Sequence, residues 1–482
     1  MILESELLAG YPAETPVDPQ DVAASVAATG RVLVVLDDDP TGTQSVADLP
    51  VLTRWETADF AWAFGARIGG ATAPAVYVLT NTRSLAPAEA EQRNREAVTN
   101  ALAAAAEAGI PLGFVSRSDS TLRGHFPLEP DVIAATLQER TGESTDGVVV
   151  VPAFPEAGRI TVGGVHYTRD GGGGLIPVAE TEFAADASFA YSSSELARYV
   201  EEKSAGRYRA EDVLVLDLSV VRGGAAGIAD ALETAAGSTP IAVDIVTEND
   251  LRALALGLAE AERRGKRLLY RVGPPFVRAR IGQQERAPLT GREPFAAADD
   301  PGGAGGLVVV GSHVGVTTRQ LKRLTDQHRH ATTVELPVEA VLDPARAEAQ
   351  LAQTASAVVA ALAGGDVVLH TSRLLVRSED PDESLRIARA VSAAVVDVVR
   401  RTLRDSPPRF VVAKGGITSS DVAAHGLEIR HAVVRGPMLP GIVSLWEPVD
   451  GPARGIPYVV FAGNVGDDGS LADVVRKLST TF

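Results

Sequence analysis

The sequence predicts an α/β protein of two domains, each a largely parallel sheet flanked by helices, with the active site in the interdomain cleft. Three observations carry that prediction. Short apolar runs alternate with helix-length, alanine-rich segments along nearly the whole chain, the pattern of strands joined by helical crossovers. At 482 residues the chain is too long for one ordinary core. A stretch rich in Pro, Gly, Ala and Asp, ending in DDPGGAGG, breaks the alternation at 288–306 and reads as a linker. The expected division is an N-terminal domain over 1–290, a linker over 291–306 and a C-terminal domain over 307–482.

Taken in order, residues up to about 20 read as an irregular arm and 21–29 as a short helix. Strands are expected at 32–36, 75–79, 112–115, 147–151, 213–218, 241–246 and 267–271, each an apolar run long enough for one buried strand. Helices are expected between them at 87–108, 130–139 and 248–264. The run Gly171 to Gly174 cannot hold a helix or a strand interior, and it reads as a mobile loop over the site, the alternative being the tip of a plain surface hairpin. Beyond the linker, strands at 307–310, 332–335, 366–369, 410–413 and 458–462 alternate with helices at 317–327, 344–362, 383–403 and 470–478. No short-period repeat is visible, which argues against a solenoid.

Hydrophobic residues make up 45% and charged residues 22% of the chain, a globular profile. The formal charge of −17 argues against nucleic acid or an anionic membrane as a partner, because either would repel the chain. Cysteine is absent, so disulfides, thiolate metal sites and cysteine nucleophiles are excluded. The amino-terminal stretch is acidic and lacks the pattern of a signal peptide, and no apolar run approaches a membrane span, so a cytoplasmic location is expected.

Chemistry concentrates where strands end. The run 32–36 stops at Asp37, Asp38 and Asp39, followed by Pro40-Thr41-Gly42. In open α/β sheets ligands sit at that edge, and three adjacent carboxylates repel one another unless a metal, a cation or a hydroxyl lies between them. SRSDSTLRGH, at 116–125, puts Arg117, Asp119, Ser120, Thr121, Arg123 and His125 directly after another apolar run. Guanidiniums grip a carboxylate bidentately while Asp and Ser bond hydroxyls, which suits a small anionic polyol. Arg83, past the strand at 75–79, is a further candidate anion ligand, and His166 in GGVHY could touch substrate or be structural. In the second domain, Ser312 in GSHVG, Lys414, Gly415, Gly416 and Thr418 in KGGITS, and Gly463 in FAGNVG sit in small-residue turns between strand and helix. Amides at such turns face anions, and three in one small domain favour a nucleotide. None is a Walker A loop. An anionic-polyol site on one domain and a phosphate site on the other is the layout of a small-molecule kinase.

DDDPTGTQ resembles the DDLTG motif, SRSDSTLRGH resembles the DSTLRGN motif, and the GSHV, KGGITS and FAGNVG turns resemble the corresponding turns of the four-carbon acid sugar kinase family. The resemblance covers nearly the whole chain. It implies an ATP-dependent kinase that phosphorylates the terminal hydroxyl of a tetronate or 3-oxo-tetronate, and phosphoryl transfer of this kind is expected to use Mg²⁺. The N-terminal domain would bind the sugar acid and the C-terminal domain ATP; a homo-oligomer is possible. Carried onto this sequence, the paired acids fall on Asp38 and Asp39, with Asp37 where the family often has a small residue. The anion-binding stretch falls on Arg117, Asp119, Ser120 and Arg123, and the nucleotide turns on Ser312, on Gly415 through Thr418 and on Gly463. Ile417 departs from the pattern, standing where better-known members carry an acid, and Pro40 and the TQ after Gly42 mark a divergent branch. A rival reading is a non-catalytic sugar-acid or nucleotide sensor, for which Ile417 is the motive; a third is a phosphosugar hydrolase with Asp37 or Asp38 as nucleophile.

Overall fold

A computed structural model describes residues 2–170, 172–296, 305–372, 381–463 and 465–482. The chain forms two compact units, one of Met1–Leu49 and Trp55–Glu285, the other of Pro50–Arg54 and Arg286–Phe482. Of the linker expected over 291–306, residues 297–304 lie outside the described residues; Glu293–Phe295 forms a 3-10 turn.

In the first unit a parallel sheet runs in the order Leu214–Leu216, Thr239–Val243, Gly147–Val151, Leu268–Val272, Leu112–Arg117, Val32–Asp37, Ala75–Leu79. The central strands read as unbroken apolar runs because helices cover both faces. Val34, Val35, Val115, Val149 and Tyr270 are fully buried. Helices Thr57–Gly65, Pro87–Ala108 and Leu128–Thr141 pack in series, and Pro19–Thr29, Ala225–Leu232, Glu248–Arg263 and Pro275–Arg280 form a second group. The Pro87–Ala108 helix starts on proline, whose missing N–H costs nothing in a first turn, and stops at Gly109 with φ 66°.

Two features of this unit depart most from expectation. The strand expected at 213–218 is confined to Leu214–Leu216, because the Asp217 carboxylate accepts from the Ser219 and Val220 amides and starts a short helix, Leu218–Val221. The region around the glycine run is a three-stranded antiparallel sheet of Arg159–Val162, Val165–Arg169 and Leu175–Pro177. Its first turn is Gly163-Gly164, both at positive φ, the two-residue turn whose twist suits a hairpin. Asp244 accepts from both of these amides, at 2.6 and 2.8 Å. The expected mobile loop is, in its described residues Gly172 to Gly174, a hairpin turn tied by Asp170, which accepts from the Gly172 and Gly174 amides at 2.8 Å each; Gly171 lies outside the described residues.

In the second unit the strands run Thr332–Leu336, Val367–Thr371, Leu307–Val310, Val411–Lys414, Tyr458–Phe461, all parallel, followed by antiparallel Val443–Pro448 and His431–Leu439. The antiparallel pair was not foreseen, since the prolines and glycines of 436–441 mask its alternation, and the ladder carries irregularities at those residues. Residues 50–54 belong to this unit: the Thr53 amide donates to the Arg430 carbonyl at 3.2 Å. Helix Gly315–Gln327, which follows the Leu307–Val310 strand, packs on Ser470–Leu478. Helix Gly416–Asp421, which follows Val411–Lys414, packs on Pro381–Asp405. Two adjacent parallel strands thus send their chains to opposite faces, creating a topological switch point between Gly311 and Gly415. Among the described residues no helix is long and apolar enough to cross a membrane.

Candidate functional site

Strand register assembles the acidic end of the first unit. Asp37 and Arg117 are register partners at the carboxyl ends of adjacent parallel strands, so their side chains meet without any loop rearrangement. Both are 2% exposed and form an ion pair; the same guanidinium donates to the Asp39 and Ser118 carbonyls. Gly42 lies directly over the pair, where an added Cβ would come within 2.3 Å of both Asp37 oxygens, so the TG of the motif is a close-approach requirement. Arg117, expected to grip a substrate carboxylate, is committed inward: with a carboxylate and carbonyls in front of its nitrogens, it serves as the counter-ion beneath the cluster.

Asp38 is 1% exposed and is held by a two-pronged Arg83 fork, Nε to Oδ2 at 3.1 Å and Nη2 to Oδ1 at 2.6 Å. Asp39 differs. Its side chain is 20% exposed, its Oδ1 accepts from the Thr41 amide at 3.0 Å, and its Oδ2 lies 3.6 Å from Arg83 Nη1. Burial and repulsion by Asp38 and Asp39 push Asp37 up to about 7 against the pull of Arg117. Burial likewise raises Asp38, against Arg83 and Arg117. For Asp39, burial is outweighed by Arg83, Arg117 and the Thr41 bonds, and its carboxyl titrates below the usual range. One partly accessible, ionised carboxylate therefore stands on two buried ones held by Arg117 and Arg83.

The loop after Arg117 is pinned through its carbonyls. His166 Nε2 donates to Ser120 O at 2.8 Å, Tyr191 Oη to Thr121 O at 2.9 Å and Tyr199 Oη to Leu122 O at 2.9 Å. Leu122 and Gly124 sit at positive φ, 67° and 118°, a conformation that such anchoring can hold in place. His166 is fully buried, its Nδ1 accepting from Thr161 Oγ1 at 2.9 Å, and burial draws it down to about 4. It is therefore a neutral structural post. On the loop, Arg123 Nε donates to Asp119 Oδ2 at 2.6 Å, and Ser120 is 6% exposed. Burial works against the Asp119 anion, yet Arg83 and Arg123 hold its carboxyl well below the usual range.

Sequence reasoning missed the group beneath this loop. Glu129, 2% exposed in the first turn of its helix, is met by Arg271, by Ser116 Oγ at 3.2 Å, by Thr82 and by Asn94. A Cβ added at Gly124 would lie 2.7 Å from Arg271 Nη2 and 2.9 Å from Asp38 Oδ2, so the network reaches the acidic cluster. Each member lies in a different motif or in none, and only the strand order unites them.

In the second unit the three glycine turns do converge. Ser312, Gly415 and Gly463 follow three neighbouring parallel strands. A Cβ on Gly463 would fall 2.8 Å from Ser312 Oγ, and one on Gly415 would fall 3.0 Å from Thr418 Oγ1 and 3.2 Å from Ser312 Cβ. Gly415, at φ 129°, precedes the helix at Gly416, and Thr317 Oγ1 bridges to the Gly463 carbonyl at 2.8 Å. Glycine at these positions lets the turns approach one another closely, and amides at a turn before a helix can face an anion. Lys414, expected as a phosphate ligand, is instead fully buried: its Nζ donates to Ala462 O at 2.6 Å and lies over the Phe461 ring, and burial lowers it to about 7. It braces the third turn. Ile417 projects from the rim, 52% exposed.

Among the described residues no group of three or more His, Asp or Glu side chains is placed to hold a metal ion.

Comparison with known proteins bears on both units. A model described as a sugar-binding N-terminal domain matches residues 33–280, and one described as a nucleotide-binding C-terminal domain matches 307–471. A curated relative, D-erythronate kinase of Heliobacterium modesticaldum, is 27% identical over 472 residues, 93% of this chain and 97% of the relative. A solved protein of Salmonella typhimurium LT2 shares the fold, with a TM-score of 0.65 at 20% identity over 93% of this chain and 100% of that one. So does a Haemophilus influenzae protein of the DUF1537 family, with a TM-score of 0.59 at 18% identity over 92% and 98%. At those identities the two structures speak to fold alone. With strand-end acids in a unit that matches the sugar-binding model and converging glycine turns in one that matches the nucleotide-binding model, the chain belongs to the four-carbon acid sugar kinase family.

Proposed function

We propose that the protein is an ATP-dependent kinase that phosphorylates the terminal hydroxyl of a small acid sugar of the tetronate or 3-oxo-tetronate type, the first unit taking the sugar acid and the second the nucleotide. The observation that carries this reading is Asp39: an ionised carboxylate, partly open to solvent, braced by Thr41 and flanked by Arg83. Such a group accepts the proton of the acceptor hydroxyl as that oxygen bonds to the γ-phosphorus and the bond to the leaving ADP oxygen breaks. Asp38 keeps Arg83 oriented, Asp37 and Arg117 support the turn from below, and Asp119, Ser120 and Arg123 receive the hydroxyls and the carboxylate. In the second unit Ser312, Gly415, Gly416, Thr418 and Gly463 cradle the phosphates. Direct transfer needs both ligands bound at once, which distinguishes it from a phospho-aspartate route.

The test is a coupled ADP-release screen over four-carbon acid sugars, beginning with D-erythronate. ADP release that requires both an acid sugar and ATP, with intersecting initial-rate lines, is the expected outcome. The sensor reading is favoured by the exposed Ile417 at the nucleotide rim; it predicts acid-sugar or nucleotide binding with no ADP release across the panel.

A further inference from the structure

Arg159 opens the first strand of the small antiparallel sheet in the first unit. It is two residues from Thr161 and so on the same face of that strand, and Thr161 is the residue that positions His166 against the Ser120 carbonyl. The face carrying Arg159 is therefore turned toward the Asp119 loop, while Ile160 and Val162 pack in the apolar cluster with Tyr167. Its guanidinium lies 5.9 Å from the centre of the Phe183 ring, and that of Arg123 lies 5.3 Å from the same centre.

Two like charges on one ring repel, and what surrounds them does not neutralise both. Arg123 is engaged by Asp119 at 2.6 Å and approaches Asp186 at 3.6 Å. Among the described residues no carboxylate lies within ion-pair distance of Arg159, and its buried Nε has no hydrogen-bond partner. An Nε–H sheltered from water without an acceptor is costly. Burial lowers its pKa, Asp119 acts against that and Arg123 adds to it. A small anion drawn between the two forks would relieve both the desolvation and the repulsion.

We infer that Arg159, with Arg123 and across the Phe183 ring, clamps the carboxylate of the bound acid sugar, which makes Arg159 the residue that selects acid sugars over neutral polyols. The inference rests on the acid-sugar reading above and deepens it. It hands to Arg159 the gripping role that Arg117 cannot take while paired with Asp37.

The experiment is calorimetric titration of the full chain with D-erythronate in the absence of ATP, for wild type, Arg159→Gln and Arg159→Lys, with ADP titration and thermal melting in parallel. Loss of a charge-assisted, two-pronged contact should weaken D-erythronate about 10–100-fold in Arg159→Gln. Arg159→Lys, which keeps the charge without the fork, should recover part of it, with ADP affinity unchanged in both. D-erythronate affinity within threefold of wild type in Arg159→Gln overturns the clamp. So does equal weakening of D-erythronate and ADP with a matching fall in melting temperature in both variants, the mark of a structural post. So does a wild-type protein that binds no acid sugar. Because binding is read without ATP, Arg159-dependent binding with no ADP release defeats the kinase reading and leaves the clamp standing. Undiminished acid-sugar-dependent ADP release by Arg159→Gln at low substrate defeats the clamp and leaves the kinase reading standing. If Arg159→Gln fails to fold, Arg159→Lys alone decides, with a weakening of about three- to tenfold expected.

Discussion

At the strand ends of the first unit, charged side chains are held by other charged side chains: Asp37 by Arg117, Asp38 by Arg83, Asp119 by Arg123, Glu129 by Arg271. At the strand ends of the second unit the groups that converge are backbone, hydroxyls and bare glycine, and Lys414 is turned inward onto a carbonyl. Both arrangements suit an anion, by different physics. A buried ion network fixes a small polyol in one orientation, because each hydroxyl and carboxylate meets a partner of set direction. A backbone cradle grips phosphate oxygens and is indifferent to what the rest of the molecule is. The difference predicts that substrate choice resides in the first unit and that damage there is expensive, since a buried charge left alone has no substitute partner.

The contrast is sharpest at Asp39. Asp39→Asn should lower turnover by ~10²–10⁴-fold with D-erythronate affinity within a few-fold of wild type. Unchanged turnover in steady-state kinetics would remove Asp39 as proton acceptor and shift attention to Asp38.

Glu129→Ala strands Arg271 in the core, so we expect a loss of about 3–5 kcal/mol of stability in urea titration. A loss below about 1 kcal/mol would mean that the ion network is not what holds the first unit's site together.

On the other side of the comparison stands a single titrating lysine. Burial sets Lys414 near 7 in the folded protein against an ordinary 10.5, so between these values the unfolded chain binds more protons. Stability of the second unit should therefore rise as pH increases from about 7 towards 10, and fall as pH drops back through that window. Lys414→Met should flatten the dependence in pH-resolved melting curves; an unchanged slope would mean that the amine reaches water.

The smallest effect is expected at the rim. Ile417→Glu restores an acid in an exposed position, where a charge is well screened, so nucleotide affinity in the presence of Mg²⁺ should change by only about two- to fivefold. A change of a hundredfold would show that the rim acid carries much of the nucleotide site in related chains.

Much of this was readable before the fold was known. Asp37 to Asp39 announce themselves as polar residues directly after a buried run, and Gly415 and Gly463 as small residues between a strand and a helix. Local patterning gave the helix Ser470–Leu478 and the strands Ala75–Leu79 and Gly147–Val151 with their boundaries. The inward use of Arg117 was invisible, because an arginine in a polar motif reads the same whether it faces a ligand or a register partner. Arg159 and Glu129 carry no local signal: one opens a hairpin strand and the other a helix, and neither segment looks unusual alone.

By itself the sequence determined which residues end strands, where the chain must turn and which side chains carry charge, since these depend on neighbours a few residues away. Only the tertiary structure decided which charge meets which. Asp37 finds Arg117, and Arg271 finds Glu129, through strand order and register across 80 and 142 residues of chain. The free energy of an ion pair depends on its distance and burial, two quantities that exist only once the sheet has formed.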